Sequence, residues 1–183
     1  VAGSKPKDAV KAFVEPIQDA LGCFVDGKVS VDRYDDDNEG VLTVNRGDSF
    51  KLRGPGKLSL TVSMRYRLDH LPDDKIRGPW KVHTSGWMYR ILNAQQHPII
   101  EYHWHPISDS HERRPHAHVA NADGAKPHIP TGRVMIEDVL HCALQYGAIP
   151  RAPAKWRTVE TGNRAKFLLG ATWGMGPAFP DPR

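Results

Sequence analysis

The longest strict alternation in the chain runs from Leu58 to Leu68, LSLTVSMRYRL. Leu60, Val62, Met64, Tyr66 and Leu68 share one phase; Thr61, Ser63, Arg65 and Arg67 share the other. A period of two sends the two sets to opposite faces of a strand, so this segment is predicted as a half-buried β-strand. Before it, from Cys23 onward, short strand-like segments are broken by turn formers: DG at 26–27, DDDNEG at 35–40, NRGD at 45–48 and RGPGK at 53–57. After the polar loop 70–79, WKVHTSGWMYRIL (80–92) and IIEYHWHP (99–106) resume strand character, and PHAHVA at 115–120 adds a short strand. Gly86 inside the first of these marks a bulge or a close approach. Consecutive strands joined by turns favour an antiparallel sheet.

Two stretches change to helical spacing. Ile136, Val139, Leu140, Ala143 and Leu144 lie on one stripe and predict a helix over 135–146. Glu137 and Asp138 suit its positive N-terminal end, Gly147 its C-cap, and Pro150 blocks continuation. His141 lies just off the stripe, towards solvent. Residues 7–21 place Val10, Phe13, Val14, Ile17 and Leu21 together, but Pro16 is expected to end or kink that helix near Glu15. The tail from 151 carries Trp156, Phe167–Leu168–Leu169 and Trp173; it is expected to wrap over the sheet and fray at its end. The sequence thus predicts one α+β domain over 1–183, a mainly antiparallel sheet with an amphipathic helix packed on one face. Its parts are an N-terminal helix and β extension (1–57), a core with a histidine-rich site (58–147) and a C-terminal tail (148–183).

Composition narrows the class. With 39% hydrophobic and 25% charged residues the chain reads as globular, and it has no run of 18 apolar residues to span a bilayer. Cys23 and Cys142 are the only cysteines. They make no disulfide framework, and with no apolar core resembling a secretory signal near residue 1 the expected location is cytoplasmic, with no membrane partner. A net charge of +4 permits a nucleic-acid partner without demanding one. Asp35–Asp36–Asp37 lacks the ligand alternation of a calcium loop and reads as a solvated turn. RGPGK lacks the spacing of a phosphate loop.

Chemistry concentrates between Tyr102 and His141, which hold seven of the ten histidines: His103, His105, His111, His116, His118, His128 and His141. Each His-x-His pair, His103/His105 and His116/His118, puts both imidazoles on one strand face about 7 Å apart. Three uses compete. As a metal site for zinc or iron(II), His103, His105, Glu112 and His116 follow the ligand order of a cupin, without its glycines and spacing; His111 and His128 are further ligand candidates. As a metal-free acid–base site, His116 and His118, with His103 and His105, would act on a ribose hydroxyl while Arg113, Arg114 and Arg133 hold phosphate. As structural residues, they would bond to backbone and stack on Trp104. The cofactor is accordingly none, or a divalent transition metal such as zinc.

The His116–Ala117–His118–Val119 strand, then a short loop and a helix opening on Ile136–Glu137–Asp138–Val139–Leu140, resembles the TumE-type toxins of bacterial toxin–antitoxin pairs over about residues 58–147. The resemblance implies a small cytoplasmic toxin acting on RNA, a ribonuclease-type activity, and an antitoxin protein as partner. The chain differs in carrying EYHWHP where those toxins tend to show an Arg-Tyr-Asp-like strand, and in its N-terminal extension.

Register is the sharpest expectation. If 99–105 and 115–119 are antiparallel neighbours, pairing His103 with His118 also pairs His105 with His116, and four imidazoles converge on one patch. A slip by one residue would send the two pairs to opposite faces.

Overall fold

The computed structural model describes residues 2–31, 39–72, 78–107, 112–120 and 126–170. The acidic run at Asp35–Asp37, His111 and Trp173 with the residues after it lie outside these. Nine strands are described: β1 (Ala2–Gly3), β2 (Val29–Val31), β3 (Glu39–Val44), β4 (Phe50–Lys51), β5 (Ser59–His70), β6 (Trp80–Leu92), β7 (Pro98–Trp104), β8 (His116–Val119) and β9 (Ile129–Pro130). With them are three helices, α1 (Pro6–Gly22), α2 (Ile136–Gln145) and α3 (Pro153–Gly170). The strands form one antiparallel sheet in the order β2-β3-β5-β6-β7-β8-β9, with β4 beside β5 and β1 beside β6. The fold is α+β, as the patterning predicts.

The alternation in β5 sets the two faces. Leu60, Val62, Met64, Tyr66 and Leu68 are all buried. Across β6 and β7 the same face continues through Trp87, Tyr89 and Ile91, then Ile100, Tyr102 and Trp104. The helices cover this face: Phe13 of α1 packs on Tyr66 at 5.5 Å, and Trp156 of α3 meets Phe24 edge-on at 5.0 Å. The other face carries Thr61, Ser63 and Arg65, then Met88 and Arg90, then Glu101 and His103, then His116 and His118. The expected irregularity at Gly86 is present. The β5–β6 register shifts at Arg65/Tyr66, and a Cβ at Gly86 would lie 3.0 Å from the Trp104 carbonyl.

α2 forms where predicted, with Ile136, Val139, Leu140 and Ala143 buried. Its first turn is closed by the Met135 N–H donating to Asp138 Oδ2 at 2.8 Å. Gly147 takes φ 91° and donates to the Leu144 carbonyl, ending the helix. RGPGK has a structural use. The Ile149 N–H donates to the Arg53 carbonyl at 2.7 Å, and Gly54 lies so close to the Gly147 carbonyl that a side chain would overlap it. The loop crosses backbone against backbone over the end of α2.

One expectation needs correction. Pro16 does not break α1, which runs 17 residues without interruption. Proline removes one N–H, but Ala9, Phe13, Ile17, Ala20 and Leu21 hold both halves of the helix on the core. Asn163 Nδ2 donates to the Pro16 carbonyl at 2.9 Å and anchors the spot to α3. The tail expected to wrap over the sheet forms, in its described part, the 18-residue α3, and its expected frayed end lies outside the described residues. Glu137, in the first turn of α2, is 2% exposed and accepts a 2.6 Å bond from Asn163. Among the described residues no helix is long and apolar enough to cross a membrane.

Candidate metal centre

Strand β7 pairs with β8 through Ile100↔Val119, Glu101↔His118, Tyr102↔Ala117 and His103↔His116. The predicted partners, His103 with His118 and His105 with His116, are displaced by two residues. A slip of two keeps every side chain on its face, so both His-x-His pairs still point the same way. β8 and β9 pair through His116↔Pro130 and Ala117↔Ile129. Continued by two, that register sets His128 opposite His118.

Five imidazoles therefore meet on the helix-free face. The His103 and His116 rings stack with centroids 5.5 Å apart, and His118 is 5.0 Å from each of them. His128 lies 4.8 Å from His116 and 4.5 Å from His118. His105, one residue past the end of β7, is 5.2 Å from His116 and 6.0 Å from His103. One donor nitrogen from each of His103, His116 and His118 falls within 4.8 Å of the other two.

The ring nitrogens are held in a defined sense. His116 Nδ1 lies 2.8 Å from the Arg114 carbonyl, and His118 Nδ1 lies 3.2 Å from the Lys126 carbonyl. A carbonyl only accepts, so in each neutral ring Nδ1 carries the proton and Nε2 keeps its lone pair. Among the described residues the Nε2 atoms of His103 and His116 are buried and have no hydrogen-bond partner. Leaving a buried polar atom unpaired costs about 1–3 kcal/mol, so two such atoms side by side need an explanation. Burial pushes the imidazolium pKa of His103 down to about 4, helped by the neighbouring imidazoles and opposed by Glu101. Burial also lowers that of His116, with the Arg114 carbonyl opposing. Both rings are thus neutral and available as ligands near neutral pH.

A charged frame surrounds the cluster. Glu101, on the same face two residues before His103, pairs with Arg90 at 2.9 Å and with Lys126 at 3.1 Å. Burial alone would raise its pKa, but the Lys126 bond and the two positive charges outweigh it and the net shift is downward. Lys126 thus holds Glu101 through its ammonium and His118 through its carbonyl. The sequence reading missed both residues. Glu101 was legible in the alternation of EYHWH, since it shares a phase with His103 and His105; Lys126 required the β8–β9 pairing.

Other predicted site residues lie elsewhere or are engaged. The carboxylate of Glu112 is held by Arg114 through Nε at 3.1 Å, Nη2 at 2.9 Å and the backbone N–H at 2.8 Å. These bonds hold its pKa down at about 2, and it does not group with the donor nitrogens. Arg114 is in turn committed to Glu112. Arg113 is exposed. Arg133 lies on the helix side of the sheet, bonded to Thr84 at 3.2 Å and 5.0 Å above the Phe167 ring, so it does not join the histidines. His141 is exposed, 3.4 Å from Glu160, outside the cluster as expected.

No family model, no curated protein and no solved structure matches this chain.

Proposed function

We propose that the protein binds a divalent transition-metal ion through His103, His116 and His118. The carrying observation is three donor nitrogens within 4.8 Å of one another, with the Nε2 atoms of His103 and His116 buried and without a hydrogen-bond partner among the described residues. Ligand geometry supports the reading. An imidazole nitrogen about 2.1 Å from an ion puts its ring centre about 3.2 Å away, so two such rings sit about 4.5 Å apart at a right angle and about 5.2 Å apart at the tetrahedral angle. The three rings stand 5.0, 5.0 and 5.5 Å apart. The carbonyls of Arg114 and Lys126 supply the outer hydrogen bonds that orient metal-binding imidazoles. An ion held by these three imidazoles would supply Lewis-acid activation of a bound water or substrate oxygen.

The test is calorimetric titration of chelator-stripped protein with zinc(II). One saturable equivalent is expected, lost in His116→Ala. Absence of saturable binding in the wild type overturns the reading.

A second reading keeps the RNA-directed, toxin-like role. His116 favours it, because its Nε2 has no hydrogen-bond partner among the described residues and Arg113, three residues before it, is exposed. Here RNA cleavage would persist in excess chelator. Since Arg114 is tied to Glu112, Arg113→Ala alone should reduce the salt slope of RNA binding by about 0.7, the value of one phosphate contact on a single strand. An unchanged slope removes Arg113 as a phosphate ligand.

A further inference from the structure

Away from the histidines, three cations gather on an open cleft of about 410 Å³ lined by Phe24, Val25, Asp26, Lys51, Arg53 and Arg151, a volume in the range that takes a small molecule. Its walls come from three places in the chain: the residues after α1, β4 with the residues after it, and the approach to α3. Phe50 and Leu52 are buried, so Lys51 and Arg53 alternate outward together. The backbone that carries the two arginines is fixed by its neighbours. The Arg53 carbonyl accepts from the Ile149 N–H at 2.7 Å, and the Arg151 N–H donates to the Cys23 carbonyl at 2.7 Å. Phe24 and Val25, both buried, give the cleft an apolar wall.

The charges of this lining do not balance. Arg151 pairs with Asp26, the one carboxylate among the lining residues, while Lys51 and Arg53 have no ion-pair partner among the described residues. Like charges held side by side raise the local positive potential, and an anion entering the cleft relieves their repulsion. Three cations against one carboxylate leave an excess of two positive charges. A phosphate monoester near pH 7 carries close to two negative charges and three acceptor oxygens, and guanidinium groups pair with such oxygens two at a time. We propose that this cleft binds a small phosphate monoester, with the phosphate held by Lys51, Arg53 and Arg151 and the organic part against Phe24 and Val25. Cations gathered on one cleft suit a single phosphate better than the spaced phosphates of a nucleic acid. The site is independent of the histidine cluster and of any ion bound there.

The probe is phenyl phosphate, titrated calorimetrically into chelator-stripped full-length protein at low ionic strength, so that no metal ion at the histidines can hold it. One saturable equivalent is expected, with affinity falling as salt is added. Lys51→Gln and Arg53→Gln should each weaken binding about tenfold or more, the loss of one charge-assisted contact. Both side chains are exposed, so these variants keep the fold. Lys11→Gln removes an exposed cation of α1 and should leave binding unchanged. Absence of saturable binding, affinity indifferent to both cleft substitutions, or an equal loss in Lys11→Gln overturns the proposal. Binding of a short single-stranded RNA that Arg53→Gln weakens, with none of phenyl phosphate, assigns the cleft to nucleic acid and overturns it as well.

Discussion

Glu137 shows how a residue read correctly as part of a helix can hold a second role that its position does not disclose. Its place in the first turn of α2 suits the helix dipole. It is also buried, and the Asn163 amide joins it to the Pro16 carbonyl, so one side chain ties α1, α2 and α3 together. Burial raises its pKa, with the Asn163 bond opposing. A carboxyl raised in the folded state contributes stability below its unfolded pKa and loses that contribution as pH rises through the folded value. Glu137→Gln keeps an acceptor for Asn163 and cannot ionise. Thermal unfolding should show the variant gaining stability over the wild type as pH rises from about 4.3, the ordinary carboxyl value, towards neutrality, with little difference below it. A difference independent of pH would mean that the carboxyl is not the group responsible. The histidines were more legible than this glutamate, because a period of two assigns a face without any knowledge of depth. Burial of a polar side chain depends on what packs over it, which no local pattern records.

Elements were legible in proportion to the regularity of their apolar stripe. α2 was placed almost to the residue, and Leu140 at its centre is fully buried. Leu140→Ala should cost about 2–5 kcal/mol in denaturant unfolding, and a cost near zero would mean that the site collapses around the smaller side chain. α3 was missed because its inward positions, Trp156, Val159, Asn163 and Phe167, include an asparagine and sit among Thr161, Gly162 and charged residues. Helix propensity there is weak, and packing on α1 overrides it. The β7–β8 register fell in between. Alternation fixes the face of each strand, but a slip of two satisfies the same alternation, so the sequence decided that the histidines share a face and left open which oppose each other. The crossing at RGPGK was illegible for a related reason, since its glycines serve a contact with residues almost a hundred positions away. Gly54 has φ 123° and faces the Gly147 carbonyl. Gly54→Ala should therefore destabilise the protein by more than the ~1 kcal/mol usual for a point mutant, measured by denaturant midpoint.

For the whole molecule, the consequence of the fold is a division of labour between the two faces of one sheet. Phe13, Tyr66, Leu140 and Trp156 belong to the core on the helix side, and the imidazoles lie on the other. Strands β7 and β8 are held to that core independently of the site, through Ile100 and Ala117. Metal removal should accordingly leave the protein folded: chelator-treated protein keeps its far-UV circular dichroism and a cooperative unfolding transition. Restoring the ion adds stability by mass action, about 2.7 kcal/mol when free metal is a hundred times its dissociation constant. That gain should be uneven. β8 lies towards one end of the sheet between β7 and the two-residue β9, whereas β5 is flanked by β3, β4 and β6. Ligation by His103, His116 and His118 would join β7 to β8 and would add nothing to the centre of the sheet. Amide hydrogen exchange should therefore slow in β7 and β8 on metal addition at fixed pH, at times shorter than global unfolding, while the β5 amides exchange as before. Equal slowing in β5 would show that the site supports the whole fold, and unchanged exchange in β8 would show that His116 and His118 do not bind the ion.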